Sequence, residues 1–108
     1  MASRAKARSR QRPDRKAWAV SNVKALLSLA AKEKAFTELR NKLAEGLRSR
    51  RKHHGLTQMA LAMSLHSSQP RVAKMEAGDP TVSIDLLVRS LLALGVSNRD
   101  LAAIITGR

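Results

Sequence analysis

The sequence predicts an all-α protein: a compact bundle of about five helices, preceded by an additional N-terminal helix and a basic tail. Apolar residues recur at three- and four-residue steps from about residue 33 onward, which is the spacing of one helix face. Serine or threonine stands before several of these apolar runs, as helix N-caps do, and glycine follows them. With 108 residues, the chain has room for one small domain.

Residues 1–16 are predicted to form a basic arm. They hold seven Lys or Arg against one Asp, and Pro13 interrupts any helix, so we expect this segment to be disordered by itself. Such an arm can lie along DNA phosphates or enter a minor groove. The alternative, an ordinary solubilising terminus, stays open at this point.

Two helices are predicted next. Residues 17–32 form the additional helix, which is apolar over a wide arc. Residues 33–108 form the main domain, whose first helix is the second of the two. The first helix of that domain is assigned to residues 33–53 on an apolar stripe of Phe36, Leu39, Leu43 and Leu47. No Gly or Pro separates the two helices, so the sequence leaves their continuity open. The apolar side chains of the additional helix either pack on the domain or contact a partner.

Residues 56–78 predict two short helices joined by a tight polar turn. Thr57 caps the first helix and Ser68 the second, because a hydroxyl oxygen can accept a bond from a free backbone N–H. His66 interrupts the apolar pattern between them, and Gly78 ends the second helix. The predicted inward-facing residues are Leu61, Ala62, Leu65, Val72 and Met75.

Two further helices complete the predicted domain. Ser83 caps one of them, Ser97 caps the other, and Gly107 ends the chain's last helix. Their apolar residues are Ile84, Leu87, Leu91, Leu94, Leu101, Ile104 and Ile105. Three more apolar residues exceed what one helix face needs: Leu86, Val88 and Leu92. This surplus forms a homodimer surface, completes the core or covers residues 17–31.

The segment 56–78 resembles the helix-turn-helix of the phage-repressor family of DNA-binding proteins (the Cro, C1 and Xre class). The family's motif residues stand here as Leu56-Thr57-Gln58, Leu61-Ala62, Ser68-Gln69 and Met75-Glu76-Ala77-Gly78. The resemblance covers residues 40–105. It departs at His66, which stands where the family has a turn glycine. A left-handed conformation is disfavoured for residues other than Gly, although His is among those that tolerate it.

The charge distribution favours a polyanionic partner. The formal net charge is +13, and residues 1–74 hold 18 Lys or Arg against 4 acids, whereas residues 75–108 hold 3 against 4. A basic half beside a neutral half is typical of a nucleic-acid-binding protein with a separate packing or dimer region. One Trp, one Phe and no Tyr leave few aromatic rings to stack on unpaired bases, which favours duplex DNA.

The resemblance implies that the helix over residues 68–76 reads bases in the major groove. A Gln amide can contact adenine N6 and N7 together, and an Arg guanidinium can contact guanine O6 and N7. The implied base-reading residues are Gln69, Pro70, Arg71 and Lys74. The predicted phosphate contacts are Thr57, Gln58, Ser68, Arg48, Arg50, Arg51 and Lys52. In the family, the residue at the place of Gln58 also steadies the reading helix, and that at Glu76 pairs with the first helix.

We therefore expect a sequence-specific double-stranded DNA-binding protein, most simply a transcriptional repressor that occupies its site as a homodimer. A two-fold dimer on a palindromic site would place its reading helices about one DNA turn apart, roughly 34 Å. Two alternatives stay open. An antitoxin would bind a toxin protein through residues 17–31 and would also bind its own promoter. A general nucleic-acid-binding protein would show little sequence preference.

The sequence gives little support to other classes of function. It contains no hydrolytic triad motif and no glycine-rich phosphate loop, so we expect neither an enzyme nor a cofactor. No third ligand stands at helical spacing from His53 and His54, so no metal site is expected. The chain has no Cys and no apolar run near the roughly 20 residues of a membrane span. A cytoplasmic protein, bound to the nucleoid through DNA, is the resulting expectation.

Overall fold

The structure, a computed structural model, describes the backbone of residues 15–107 and the side chains of residues 22–107. This part of the chain contains five α-helices and no strand, so the predicted all-α class is confirmed. The helices are α1 Arg15–His53, α2 Gln58–Ser64, α3 Gln69–Glu76, α4 Ile84–Ala93 and α5 Asn98–Thr106. None of these five is both long enough and apolar enough to cross a membrane. The predicted arm, residues 1–16, lies outside the described residues except for its last two backbone positions.

Helix α1 is continuous from Arg15 to His53. The additional helix and the first helix of the domain, whose continuity the sequence left open, are therefore one element. The helix contains no Pro, and its one Gly, Gly46, stands near its end, so nothing in the local sequence interrupts it earlier. Contacts divide the chain into two units, with the boundary between Lys34 and Ala35. The predicted domain boundary, between residues 32 and 33, remains a prediction.

The core of the second unit consists of inward faces that the sequence predicted. Its fully buried large side chains come from α1, α2, α3 and α4: Leu43, Leu47, Leu61, Val72, Met75, Leu87 and Leu91. Helix α5 adds the partly buried Leu101 and Ile104. Phe36, predicted on the same stripe, is 46% exposed. The Cζ atom of Arg40 lies over the Phe36 ring, 5.1 Å from the ring centroid. Complete burial of one such aliphatic side chain contributes about 1.5–3 kcal/mol, so this core holds α2 and α3 in place.

All four predicted N-caps are confirmed. Thr57, Ser68, Ser83 and Ser97 each accept a hydrogen bond from the backbone N–H three residues further along, at 3.0–3.3 Å. Asp100 accepts in return from the backbone N–H of Ser97, and these bonds hold the pKa of Asp100 below its ordinary value. A cap of this kind contributes about 1 kcal/mol. Because each cap bond is local, the short helices begin where the nearby sequence dictates.

Gly78 follows α3 in a left-handed conformation with φ of +71°. A Cβ atom at this position would lie 2.5 Å from Asn41 Oδ1 on α1. We expect Gly78→Ala to lower the free energy of unfolding by about 2 kcal/mol, because the substitution strains the backbone and displaces the Asn41 side chain.

Gly55→Ala is the matched control for that variant. Gly55 has nearly the same backbone angle, φ of +69°, but no atom lies within 4 Å of its added Cβ. This variant should lose only the backbone contribution, about 1 kcal/mol. Urea unfolding of both variants measures the difference. Equal losses would mean that Asn41 moves aside without cost.

Candidate nucleic-acid interface

Helices α2 and α3 are joined by the turn that the sequence predicted. His66 takes a left-handed conformation, with φ of +55°, at the position where the resemblance implied a turn glycine. The backbone N–H groups of His66 and Ser67 donate to the carbonyls of Met63 and Ala62, at 3.2 and 2.8 Å. Ala62 is buried, and its small side chain suits a place where two helices cross closely. The result is a helix-turn-helix whose second helix is α3.

Helix α3 presents one side to solvent. Pro70, Arg71 and Lys74 are exposed, whereas Val72 and Met75 of the same helix are buried. The three exposed residues line a groove of about 320 Å³ together with the cap Ser68, Thr81 and Val82. The structure therefore brings three of the four predicted base-reading residues together beside one surface groove.

The fourth predicted base-reading residue, Gln69, is held by a chain of hydrogen bonds that runs into the domain. Its Nε2 donates to Gln58 Oε1 at 2.7 Å, and Gln58 Nε2 donates to Glu76 Oε1 at 3.2 Å. Glu76 is in turn bound by Arg51. A Gln amide has two N–H donors and an acceptor oxygen. Among residues 22–107, the second N–H and the oxygen of Gln69 have no hydrogen-bond partner. Those are the two groups needed to contact one adenine.

Arg51 has an internal role that differs from its predicted one. Its Nε and Nη2 donate to the Glu76 carboxylate at 2.6 and 3.0 Å, and Nη1 donates to the Leu56 carbonyl at 2.8 Å. The two side chains are 11% and 3% exposed. The hydrogen bond to Glu76 raises the pKa of Arg51 above its ordinary value. The sequence assigned Arg51 to a DNA phosphate; these bonds take three of its five N–H donors, so the phosphate contacts proposed below do not include it. The expected pairing of Glu76 with α1 is confirmed.

The other predicted phosphate contacts occupy different environments. Arg48 and Lys52 are exposed on α1, and neither forms an ion pair among residues 22–107. Arg50 lies 3.3 Å from Asp100, but this pair is partly exposed, so solvent and salt weaken it. The hydroxyl oxygens of Thr57 and Ser68 act as caps. Contact between these residues and DNA phosphates remains a prediction.

The structure adds Thr81 to the groove, a residue that the sequence reasoning missed. Asp79 accepts hydrogen bonds from the Thr81 hydroxyl and backbone N–H, at 2.6 and 2.8 Å. These bonds, with smaller contributions from the positive charges of Lys74 and Arg40, hold the pKa of Asp79 below its ordinary value. The segment Asp79-Pro80-Thr81 has the composition of a turn, which was the available signal. Only the fold shows that this turn faces α3.

The surplus apolar residues of α4 are mostly used by the domain itself. Leu86 and Val88, two members of the predicted homodimer surface, are half-buried and pack against the core. The third, Leu92, is 49% exposed. The observed packing favours the alternative in which the surplus completes the core.

A family model described as a helix-turn-helix domain matches residues 42–104, which is more than half of the chain. The chain belongs to this helix-turn-helix domain family. The matched segment contains α2, α3 and α4 in full, together with the groove and the Arg51–Glu76 pair. No curated protein and no solved structure matches the chain. Membership of a helix-turn-helix family supports DNA as a partner and a regulatory role. The narrower likeness to Cro, C1 and Xre proteins stays a resemblance.

Proposed function

We propose that this helix-turn-helix protein binds duplex DNA sequence-specifically and regulates transcription, most simply as a repressor that occupies its site. The observation that carries this proposal is the solvent-facing side of α3. It combines an exposed Arg71 and Lys74 with a Gln69 whose orientation is held from inside the domain. Helix-turn-helix proteins insert the N-terminal end of the second helix into the major groove.

Each of the four predicted base-reading side chains has a distinct chemical role in the proposal. Gln69 accepts from adenine N6 with its oxygen and donates to N7 with its free N–H. Arg71 donates to guanine O6 and N7. Pro70 offers an apolar contact to a thymine methyl group. Lys74, one turn further along, reaches either a base edge or a phosphate.

Sequence-independent attraction comes from residues outside α3. Arg48, Arg50 and Lys52 on α1, with Thr57, Gln58 and Ser68 at the helix starts, are the proposed phosphate contacts. Such contacts position a protein on DNA but carry no direct sequence information. We further propose that two copies occupy a palindromic site, with their reading helices about 34 Å apart.

Selection of bound duplexes from a random pool tests this function. The experiment is run at about 150 mM salt, on the full chain and on a chain that lacks residues 1–16. We expect an enriched palindromic motif that survives loss of the arm. If no motif is enriched and affinity collapses without the arm, the protein is a general nucleic-acid binder. A second small protein that co-purifies in fixed ratio would instead favour the antitoxin alternative.

A further inference from the structure

The beginning of α1 carries a set of exposed apolar side chains that the DNA-binding function does not use. Val23, Leu26 and Leu27 are 54%, 57% and 65% exposed, and Leu29 is 56% exposed. Val23, Leu26, Leu27 and Ala30 follow the spacing i, i+3, i+4, i+7, so they share one side of the helix. We call these four residues the α1 face. A continuous apolar face of this kind on a helix indicates a binding surface.

We infer that the α1 face binds the same face of a second copy of this chain, with the two helices antiparallel. The spacing of the face is self-complementary about a point between Leu26 and Leu27. A two-fold axis at that point places Leu26 against Leu27 of the other copy, and the larger Val23 against the small Ala30. Such an interface is isologous, because each contact occurs twice. Large-against-small pairing lets two helices approach closely.

The charges beside the α1 face select the antiparallel arrangement. Lys32, Glu33 and Lys34 follow the face directly, and the only charged residue among residues 17–31 is Lys24. In a parallel pair, Lys34 would face Lys34 and Glu33 would face Glu33. In the antiparallel pair, residues 32–34 of one copy lie about 20 Å from residues 32–34 of the other copy, at opposite ends of the pair. This distance is beyond the screening length of about 8 Å at physiological salt.

The local charge also favours a second copy over a nucleic acid at this surface. Residues 17–38 hold three Lys against two Glu, a net charge of +1, whereas the whole chain carries +13. The face therefore lies in a nearly neutral stretch of the helix, where DNA phosphates find few cations. The surplus apolar residues of α4 leave less exposed apolar surface for a second copy, because Leu86 and Val88 pack against the core of their own domain.

Sedimentation of the full chain without DNA tests the pairing. We expect a dimer at micromolar concentration and physiological salt. Leu27→Glu should raise the dissociation constant about 100-fold, because each dimer loses two buried leucines. Ser28→Glu is the matched control: it adds the same charge to the same helix, one residue away and outside the face, and should leave the dimer intact. Circular dichroism confirms equal helix content in both variants.

Engineered cysteines test the orientation, because the natural chain has no Cys. In the antiparallel pair, a mixture of Val23→Cys and Ala30→Cys chains forms a disulfide between unlike copies. Neither variant alone does so, because like positions lie about 10 Å apart along the helices and a disulfide requires Cα atoms within about 7 Å. In a parallel pair, each variant alone would cross-link.

Two results would overturn the inference. One is that the full chain stays monomeric even at 100 times the micromolar concentration at which we expect the dimer. The other is that Val23→Cys chains form disulfides with each other. The pairing requires no DNA, so either failure leaves the proposed DNA binding standing. The duplex selection tests that function separately.

Discussion

Replacing Glu76 by Ala should lower the free energy of unfolding by about 3–5 kcal/mol. The carboxylate is 3% exposed and accepts two hydrogen bonds from Arg51 and one from Gln58. Its removal leaves a nearly buried guanidinium with one partner, the Leu56 carbonyl, and an amide donor with none. A buried charge without its counter-ion is costly because little water can reach it. A small domain with 5–15 kcal/mol of stability would lose a large share of it.

Urea unfolding of the wild-type and variant proteins measures this loss. The matched control is Arg89→Gln, which breaks the Arg89–Asp85 pair of 2.9 Å, whose side chains are 76% and 74% exposed. An exposed pair between residues four apart on a helix contributes about 0.3–0.5 kcal/mol, so this variant should unfold almost as the wild type does. A loss below about 1 kcal/mol for Glu76→Ala would mean that water replaces the carboxylate and that the pair is not buried in solution.

Replacing Gln69 or Arg71 by Ala should cost about 1–3 kcal/mol of binding to the selected duplex, roughly 5- to 150-fold in affinity. The loss should be confined to one or two base pairs for each variant, because each side chain contacts one base. Competition titrations against duplexes mutated at single positions measure this. Each variant should lose its preference at its own position and keep the others.

Arg89→Gln also serves as the control for binding, because it removes one positive charge, as Arg71→Ala does, from an exposed site on α4. It should leave both affinity and sequence preference unchanged within about twofold, since Arg89 is not among the proposed contacts and an exposed charge acts weakly through screening salt. If Arg71→Ala weakens binding to all duplexes equally, Arg71 contacts a phosphate and does not read a base.

The hydrogen-bond chain links these two predictions. Gln69 donates to Gln58, and Gln58 donates to Glu76. Gln58→Ala should therefore reduce discrimination at the base that Gln69 contacts, even though Gln58 itself contacts no base in the proposal. A double-mutant cycle between the two glutamines measures the coupling. Independent effects would mean that Gln69 is oriented by DNA alone.

Local sequence determined the parts of this protein that depend on near neighbours. The caps at Thr57, Ser68, Ser83 and Ser97 join a side chain to a backbone group three residues away, so residue type and position predict them. The buried faces of α2, α3 and α4 follow from helical periodicity. The left-handed turn at His66 followed from the resemblance. These features place α3, and with it the candidate reading surface.

Tertiary structure decided which individual polar atoms meet across the chain, beyond the pairing of Glu76 with the first helix and the role of Gln58 that the resemblance implied. Arg51 looked like a free cation because nothing near it in sequence marks its acceptor, Glu76, which is 25 residues away. Thr81 was given no role from the sequence, and only the fold places it with Arg71 in the lining of one groove. Periodicity shows which side of a helix faces inward, but not which atom it meets there. Those partners follow only from the packing of helices that are distant in sequence. That packing orients Gln69 through its hydrogen bond to Gln58 and largely buries the Arg51 side chain against Glu76.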